Sequence, residues 1–550
     1  MSEQLEHTSR QEEPRYDPHY YPYPSRRNMT YGSRGMVCAS HPLAAQAGLD
    51  ALKKGGNAVD AAVATAAALT VVEPTANGIG SDAFAIIWKD GKLSGFNASG
   101  PIPKALSMEL AESKGWTASG KLPTYGWTPS TVPGAPAAWA ELTKRMGRLS
   151  LEENLAPAVF LARDGHAVSV TTAHHWELAF KKYALEKGEE FRAWFDTFAP
   201  SGHAPRAGEL WRSEAHARTL ERIAGSNARD FYEGEIAAKI LEAARKTGGY
   251  FSAEDLGSFV PEWVDPIGVN YKGYDVWEIP PNGQGIVALI ALSILRGFEF
   301  SSHDDPMTVH RQIEAIKMGF ADAHRYVADT RFSGVPTAEL LAAPYADARR
   351  ALLGERAEAR NAGNPLPGGT VYLCAADGEG NMISYIQSNY MGFGSGVVVP
   401  GAGVALNNRG HCFSLEKGHP NMLEPGKRPY NTIIPSFLTK DGVPVGPFGV
   451  MGGFMQPQGH VQVIMNTVDF HMNPQQALDA PRWQWMGGMN VSVEPGFSPA
   501  LAQSLQRKGH AMKSELESNS FGRGEIIWRT PEGTLGGATE SRTDGCAATW

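Results

Sequence analysis

Cysteine is scarce in this chain: its 550 residues contain four, which are Cys38, Cys374, Cys412 and Cys546. They are scattered, and no C-x-x-C pair of the kind that holds zinc occurs among them. We therefore expect reduced thiols rather than a disulfide framework. We also expect no metal site and no cofactor.

Long apolar runs and strong charge of one sign are missing as well. No run of 18 apolar residues predicts a membrane span, and residues 1–28 contain no apolar segment typical of a secretory signal. The net charge is −8, from 50 Lys and Arg against 58 Asp and Glu, with no basic cluster. These absences predict a cytoplasmic protein that binds neither nucleic acid nor membrane.

What is present is the composition of a globular protein, with 42% hydrophobic residues. Residues 1–28 are polar and predict a disordered arm. Helices are expected from Pro42 to Lys54 and, after an Asn57 cap, from Asp60 to Leu69. The stretch 135–350 reads mostly as amphipathic helices, whereas strands and hairpins dominate after residue 370. Helices beside antiparallel hairpins predict an α+β fold of sheets covered by helices.

Thr370 is the residue that points most directly to chemistry. It follows Gly368-Gly369 and opens a predicted strand, 370–376, that pairs with 382–388. Glycine gives the preceding backbone unusual freedom. If the Gly369–Thr370 bond broke, Thr370 would carry a hydroxyl and a free amine, which together are a nucleophile and its base. Alone, a Gly-Gly-Thr before a strand is also ordinary turn chemistry.

Other motifs are weaker. The glycine-rich run 392–396 lacks the Lys-Ser/Thr ending of a phosphate loop. The pair His174-His175 lacks the H-E-x-x-H spacing of a zinc site. Ser81 lies in a glycine-rich loop without a G-x-S-x-G elbow, so a serine hydrolase stays as an alternative. A non-catalytic binding protein is a further alternative.

Gly452-Gly453 follows an apolar strand and permits two readings. Successive glycines can point their N–H groups at one place and hold an oxyanion. From the residues alone, a bulge or a tight turn is the favoured reading.

In sequence order, these motifs resemble the gamma-glutamyltranspeptidase family over roughly residues 30–550. The part similar to the small subunit comprises Thr370, Asp377-Gly378-x-Gly380-Asn381, Phe393-Gly394-Ser395-Gly396, Leu406-Asn407-Asn408, Phe413-Ser414, Pro425-Gly426-Lys427-Arg428-Pro429 and Gly452-Gly453. The part similar to the large subunit comprises Ala39-Ser40-His41-Pro42-Leu43-Ala44, Gly55-Gly56-Asn57-Ala58-Val59-Asp60-Ala61-Ala62, Glu73-Pro74 and Pro280-Pro281-Asn282-Gly283-Gln284-Gly285.

This resemblance implies an N-terminal-nucleophile hydrolase with a four-layer αββα sandwich. It implies a precursor cleaved between Gly369 and Thr370 into a large subunit, 29–369, and a small subunit, 370–550. Thr370 would be nucleophile and base, Ser388 would support it, and Gly452 and Gly453 would form the oxyanion hole. The implied partner is a small-molecule amide, and a dimer of the two-chain unit stays open.

The positions that read the substrate in the family differ here. The large-subunit stretch around Asn97 lacks the usual Arg, and Cys412 replaces the Asp that binds an α-amino group. The segment before Pro425 is short, so no lid is expected. Further replacements are Arg409 for Gln, Tyr390 for Asn, and Asn431-Thr432 for a Ser-Ser pair.

These differences all favour the same kind of substrate. Without the Asp, a buried α-ammonium has no charge partner, while Arg409 adds a fork suited to a carboxylate. We therefore predict that Arg409, with Asn431, Thr432, Tyr390 and Asn97 around it, binds an acyl group that carries a carboxylate and no α-amino group. Oxamate-type or glutaryl-type amides fit. The alternative is a true γ-glutamyltransferase or glutathione hydrolase, in which Arg409 is structural.

Overall fold

The computed structural model describes residues 27–359, 369–517 and 520–550. Most of the predicted arm 1–28 and of the leader before Thr370 therefore lies outside the described residues. The strands, in chain order, are β1 (Thr30–Gly32), β2 (Gly35–Ala39), β3 (Asp82–Lys89), β4 (Lys92–Ala98), β5 (His166–Ala167), β6 (Leu210–Trp211), β7 (Glu262–Val264), β8 (Ile267–Tyr271), β9 (Tyr274–Glu278), β10 (Gly369–Asp377), β11 (Met382–Tyr390), β12 (Val398–Val399), β13 (Val404–Ala405), β14 (Ser436–Lys440), β15 (Val443–Met451), β16 (Trp483–Gly487), β17 (Asn490–Val493), β18 (Ala511–Ser514), β19 (Arg523–Arg529), β20 (Leu535–Thr539) and β21 (Cys546–Thr549).

The helices begin with α1 and α2, close to the predicted positions, and Asn57 caps α2 through a capping box. In chain order they are α1 (Pro42–Lys53), α2 (Ala58–Val72), α3 (Met108–Ser113), α4 (Ala135–Met146), α5 (Leu151–Asp164), α6 (Val170–Tyr183), α7 (Arg192–Phe198), α8 (Glu214–Ser226), α9 (Arg229–Glu233), α10 (Glu235–Thr247), α11 (Ala253–Gly257), α12 (Gly285–Leu295), α13 (Pro306–Tyr326), α14 (Thr337–Leu340), α15 (Ala343–Arg350), α16 (Met455–Val468), α17 (Pro474–Asp479) and α18 (Pro499–Lys508).

Two seven-stranded sheets form the centre of the molecule. One has the order β1-β20-β19-β15-β14-β9-β8, and the other has the order β21-β2-β10-β11-β3-β4-β7. Strands from before and after Thr370 are neighbours in both sheets. Each sheet is therefore built from both parts of the chain.

Helices cover the outer face of each sheet. The Ala-rich α2 and its neighbours pack on the sheet that contains β10, and α12, α13 and α16 pack on the sheet that contains β15. A third cluster, which includes Tyr372, Ile386, Phe437 and Ile527, lies between the two sheets. The predicted α+β fold and its four-layer αββα sandwich are confirmed.

Strand periodicity explains where the polar residues of interest lie. In β10, Val371 and Leu373 belong to the outer cluster, whereas Tyr372 and Cys374 belong to the cluster between the sheets. Side chains alternate between faces with a period of two. Thr370 is therefore placed at the end of β10 on the face between the sheets.

The region 135–350 contains strands that the sequence reading missed. β8 and β9 form a hairpin through Lys272-Gly273, where φ is 48° and 91°. Positive φ at both central residues is the geometry of a type I′ turn, which Asn-Gly usually signals and Lys-Gly does not. Among the described residues, no helix is long and apolar enough to cross a membrane.

Candidate active site

Thr370 and Ser388 come together at the end of the β10–β11 hairpin. Thr370 Oγ1 lies 3.0 Å from Ser388 Oγ, and both residues are fully buried. Ser388 Oγ donates a hydrogen bond of 2.8 Å to the carbonyl oxygen of Gly369 and accepts one of 2.7 Å from the Tyr390 N–H. Since a serine hydroxyl has one proton, the Thr370 hydroxyl is the donor to Ser388.

A β-bulge creates this arrangement. Val371 pairs with Gln387, but Gly369 pairs with Tyr390, so β11 contains one extra residue opposite Thr370. Tyr390 adopts a φ of 76°, which is uncommon for a non-glycine residue. Bulges re-aim side chains and are frequent beside active sites. Here the bulge turns the Tyr390 N–H toward the Ser388 hydroxyl.

Asp82 occupies the next strand of the same sheet, directly opposite Ser388 in the pairing of β3 with β11. Arg409 grips its carboxylate with two hydrogen bonds, from Nε at 2.8 Å and from Nη2 at 3.1 Å. Asn431 Nδ2 donates a third hydrogen bond, of 2.7 Å, to the same carboxylate. Both Asp82 and Arg409 have 0% exposure. The fork predicted to bind a substrate carboxylate thus binds Asp82.

Thr432 and Tyr390 complete the surroundings of Arg409. Nη1 donates to Thr432 Oγ1 at 2.7 Å, and the guanidinium carbon lies 4.8 Å from the centre of the Tyr390 ring. Burial lowers the pKa of Arg409, whereas the Asp82 carboxylate and its hydrogen bonds raise it, and the net shift is upward. Arg409 is therefore charged, and its charge is balanced by Asp82.

Asn97 is connected to this group through Asn282. Its Nδ2 donates to Asn282 Oδ1 at 3.0 Å, and the Asn282 carbonyl accepts the Asn431 N–H at 2.9 Å. The structure therefore brings Arg409, Asn431, Thr432 and Tyr390 together and joins Asn97 to them through Asn282.

Gly452 and Gly453 follow β15, a strand of the opposite sheet whose last residue, Met451, belongs to the cluster between the sheets. Their φ values are 137° and 60°, which are conformations that favour glycine. The Met455 N–H donates to the Gly452 carbonyl at 3.1 Å, and Gln284 Nε2 donates to the Gly453 carbonyl at 2.9 Å. Both carbonyl groups are therefore held by hydrogen bonds.

Cys412 carries no charge that could replace the missing Asp. It is buried, and burial raises the pKa of its thiol although Arg409 and Lys121 act in the opposite direction. Among the described residues, the carboxylate that contacts both Arg409 and Asn431 is that of Asp82.

One group of side chains in the described part of the chain has the spacing of metal ligands. It consists of His310, Glu314 and His510. However, Lys317 Nζ donates to Glu314 Oε1 at 2.6 Å, and His510 Nε2 lies 2.9 Å from His310 Nδ1. An ammonium group already neutralises the carboxylate, so we interpret this cluster as a contact between elements.

The sequence reading missed Asp82 and Gln284. Asp82 had a recognisable signal, because it is a lone carboxylate at the head of the apolar run Ala83–Ile87, and a buried charge requires a partner. Gln284 lies in the run that resembled the family, but nothing local in the sequence marks its contact with Gly453.

Comparisons with known proteins show which family the chain belongs to. The family model described as gamma-glutamyltranspeptidase matches residues 44–550. The Glutathione hydrolase-like YwrD proenzyme of Bacillus subtilis is 34% identical over 527 residues, covering 94% of this chain and 98% of the relative. The Oxamate amidohydrolase proenzyme of Klebsiella pneumoniae is 31% identical, covering 94% and 98%.

A solved structure supports the same relationship. The crystal structure of cephalosporin acylase from Bacillus halodurans aligns with a TM-score of 0.94 and 57% identity, covering 98% of this chain and 99% of that one. The Bacillus subtilis and Klebsiella pneumoniae relatives are both named as proenzymes. The chain belongs to the gamma-glutamyltranspeptidase family and is an amide-cleaving enzyme of the N-terminal-nucleophile class.

Proposed function

We propose that this chain cleaves itself between Gly369 and Thr370 and then uses Thr370 to hydrolyse amides whose acyl group carries a carboxylate but no α-amino group. The proposed acyl group rests on one observation, which is that protein side chains already bind the Asp82 carboxylate. Arg409 and Asn431 already donate three hydrogen bonds to this carboxylate.

Self-cleavage begins with attack of Thr370 Oγ1 on the Gly369 carbonyl carbon. The Ser388 hydroxyl, 2.8 Å from that carbonyl oxygen, polarises the bond and stabilises the negative charge that develops. The C–N bond then breaks as the proton given up by the Thr370 hydroxyl passes to the Thr370 nitrogen, so that Gly369 becomes an ester on Thr370 Oγ1 and the Thr370 amine is freed. Water hydrolyses the ester, which leaves subunits 29–369 and 370–550.

In the mature enzyme the freed amine acts as the base. An α-amine titrates near pH 8, so a useful fraction is neutral at about pH 7 and can take the hydroxyl proton. Thr370 Oγ1 attacks the substrate amide, and the oxyanion rests on the Gly452 and Gly453 N–H groups. The amine product leaves, and water hydrolyses the acyl-enzyme to the free acid.

The acyl group must match a site with no spare negative charge. The Asp82 carboxylate is already paired with Arg409, so it offers no free negative charge to a substrate α-ammonium. The neutral Cys412 thiol offers no negative charge either. Arg409, in contrast, uses three of its five N–H groups in hydrogen bonds to Asp82 and Thr432. Its two other N–H groups make no hydrogen bond among the described residues, and the positive charge of this buried guanidinium favours an acid-bearing acyl group over one that carries an ammonium group.

The relatives support the same class. Those similar to this chain include an oxamate amidohydrolase and a cephalosporin acylase. Oxamate is an amide that carries a carboxylate and no amino group on its acyl part. We therefore extend to this chain the oxamate-type and glutaryl-type amides.

A matched pair of substrates tests the proposal. Glutaryl and γ-glutamyl anilides differ only in the α-amino group, and we expect kcat/KM to be at least about tenfold higher for the glutaryl compound, equivalent to about 1.4 kcal/mol. Oxamate belongs in the same panel. If γ-glutamyl anilide were the better substrate, the acyl assignment would be wrong and the glutathione hydrolase alternative would hold.

A further inference from the structure

Gln284 connects the part of the chain before Thr370 to the loop after β15. It immediately precedes α12, and its side chain is fully buried. Its backbone N–H donates to the Asn431 carbonyl at 2.9 Å, so the residue is fixed at both its backbone and its side chain.

The side-chain amide bridges two carbonyl groups of the candidate site. Nε2 donates to the Thr432 carbonyl at 2.7 Å and to the Gly453 carbonyl at 2.9 Å. Oε1 accepts the Tyr430 hydroxyl at 3.1 Å. Two carbonyl acceptors require the NH₂ end of the amide, so the hydrogen-bond network determines its orientation.

These contacts fix the direction of the Gly453 N–H. The peptide before Gly453 is held by the Met455 N–H on the Gly452 carbonyl, and the peptide after it is held by Gln284 and by the Gln456 N–H at 3.2 Å. With both flanking peptides held, φ and ψ of Gly453 have little freedom. Glycine without such contacts samples a wide range of conformations.

We propose that Gln284 is a positioning residue for the oxyanion hole, which aims the Gly453 N–H and ties its position to that of Thr432 beside Arg409. This inference rests on the proposed function of Gly453. A core glutamine that merely satisfies two buried carbonyls would stabilise the fold without affecting the chemical step. The two roles predict different experimental results.

The main variant is Gln284→Met, which keeps the length of the side chain and removes its three hydrogen bonds, with Thr432, Gly453 and Tyr430. Gln462→Met is the matched control, since Gln462 also bridges two buried carbonyls, those of Gln458 and Trp483, each at 3.1 Å. Gln462 has no contact with Gly452 or Gly453 among the described hydrogen bonds. Both variants lose the same kind of bond.

Amide hydrogen exchange is measured first, in the Thr370→Ala background, so that neither cleavage nor a substrate is needed. We expect peptides covering 449–456 to exchange at least about tenfold faster in Gln284→Met and not in Gln462→Met. Unchanged exchange over 449–456 would overturn the proposal whatever the substrate. If the wild-type enzyme hydrolysed no amide in the panel, the proposed function would be wrong. The hydrogen-exchange result would still decide whether Gln284 fixes the Gly453 peptide.

Steady-state kinetics of the mature enzymes provide the second readout. A misplacement of about 1 Å can cost about 100-fold in rate, so we expect kcat of Gln284→Met to fall about 10- to 100-fold with KM changed less than about threefold. Gln462→Met should keep kcat within about twofold of wild type. A normal kcat for Gln284→Met would show that the contact is structural only.

Gln284→Glu adds a pH signature that a structural role would not give. The ionised carboxylate cannot donate and repels both carbonyls, whereas the protonated acid can donate one hydrogen bond. The ratio of kcat for Gln284→Glu to kcat for wild type should therefore rise as pH falls. The same ratio for Gln284→Met should stay flat, and a flat ratio for both variants would contradict the proposal.

Discussion

Ser388 makes three hydrogen bonds beside the bond that is proposed to be cleaved in the precursor. Its hydroxyl contacts the nucleophile, the scissile carbonyl and a backbone N–H at once. One hydroxyl with one proton and two lone pairs has no further capacity. Removing it therefore affects both the direction of the Thr370 hydroxyl and the polarisation of the Gly369 carbonyl.

We expect Ser388→Ala to slow self-cleavage about 100- to 1,000-fold, the usual cost of removing one donor to an oxyanion. Ser388→Thr keeps the hydroxyl and should recover most of the rate. The fraction of cleaved chain, followed by intact mass, measures the effect. Ser384→Ala is the control, because Ser384 is equally buried on β11 but bonds Tyr372. Equal cleavage of the two alanine variants would contradict the mechanism.

Arg409 and Asp82 form a pair whose members depend on each other. Removing one member of a buried ion pair typically costs about 3–5 kcal/mol, because the other charge is left unpaired. We expect this loss in the free energy of unfolding for Arg409→Met, measured by urea denaturation of the Thr370→Ala chain. The double variant Asp82→Asn with Arg409→Met should recover most of it.

The exposed pair Arg163–Glu221, whose side chains are 40% and 47% exposed, provides the control. Arg163→Met should leave the urea midpoint close to that of the parent, because exposed ion pairs contribute little to stability. A double variant as unstable as Arg409→Met would mean that the charge of Asp82 is not what makes Arg409 necessary.

Local signals explain which of these residues the sequence could predict. Thr370 and Gly452-Gly453 lie at the ends of strands that alternation and glycine placement predict, whereas the role expected for Ser388 came from the family resemblance. The partner of Arg409 could not be predicted in this way, since Asp82 is 327 positions away and meets it only after β3 has paired with β11. Likewise, the β8–β9 hairpin was missed because its turn lacks the usual residues.

At the scale of elements, the end of β15 depends on the backbone of Gly452. Its φ is 137°, and a Cβ there would lie 3.0 Å from the Cα of Gly522. An alanine would therefore disturb the Gly452 and Gly453 peptides, whose N–H groups are proposed to hold the oxyanion.

We therefore expect Gly452→Ala to lower kcat about 100- to 1,000-fold in the mature enzyme. Gly442→Ala is the control at the other end of the same strand, with a φ of 74° and no atom within 4 Å of the added Cβ. It should cost about 1 kcal/mol of stability and leave kcat unchanged. Similar kcat values for both variants would argue against an oxyanion hole at Gly452.

For the whole molecule, the two parts of the chain interdigitate. β10 and β11 are flanked by β2 and β3, and β14, β15, β19 and β20 are flanked by β9 and β1. Cleavage at Thr370 would cut the chain at the first residues of β10 but remove no sheet pairing beyond that bond. The products should therefore stay together without a covalent link.

We expect purified protein to show two chains, of roughly two-thirds and one-third of its 550 residues, under denaturing conditions. Native mass spectrometry and gel filtration should show one complex that contains both. Thr370→Ala should give a single chain that elutes at a similar volume. Separation of the two chains under native conditions would contradict the interdigitated assembly.

The contact between His310 and His510 predicts that the protein loses stability in acid. His310 Nε2 donates to the Gly354 carbonyl, so its Nδ1 accepts the His510 N–H at 2.9 Å. Burial, with Lys317 and Lys508 nearby, lowers the pKa of His310 to about 4 and that of His510 to about 3. In the unfolded chain both histidines bind protons near pH 6.5.

The unfolded state therefore binds more protons between about pH 6.5 and pH 4, and the free energy of unfolding must fall as the pH is lowered through this window. Above about pH 7 both histidines are neutral in the folded and the unfolded chain, so they do not make the free energy of unfolding depend on pH. In the Thr370→Ala chain, we expect the double variant His310→Asn with His510→Asn to lose less of its urea midpoint between pH 7.5 and pH 5 than its parent. His471→Asn, at an exposed histidine whose φ of 54° asparagine tolerates, should keep the parent's acid sensitivity. An unchanged slope in the double variant would mean that protonation elsewhere governs the loss of stability in acid.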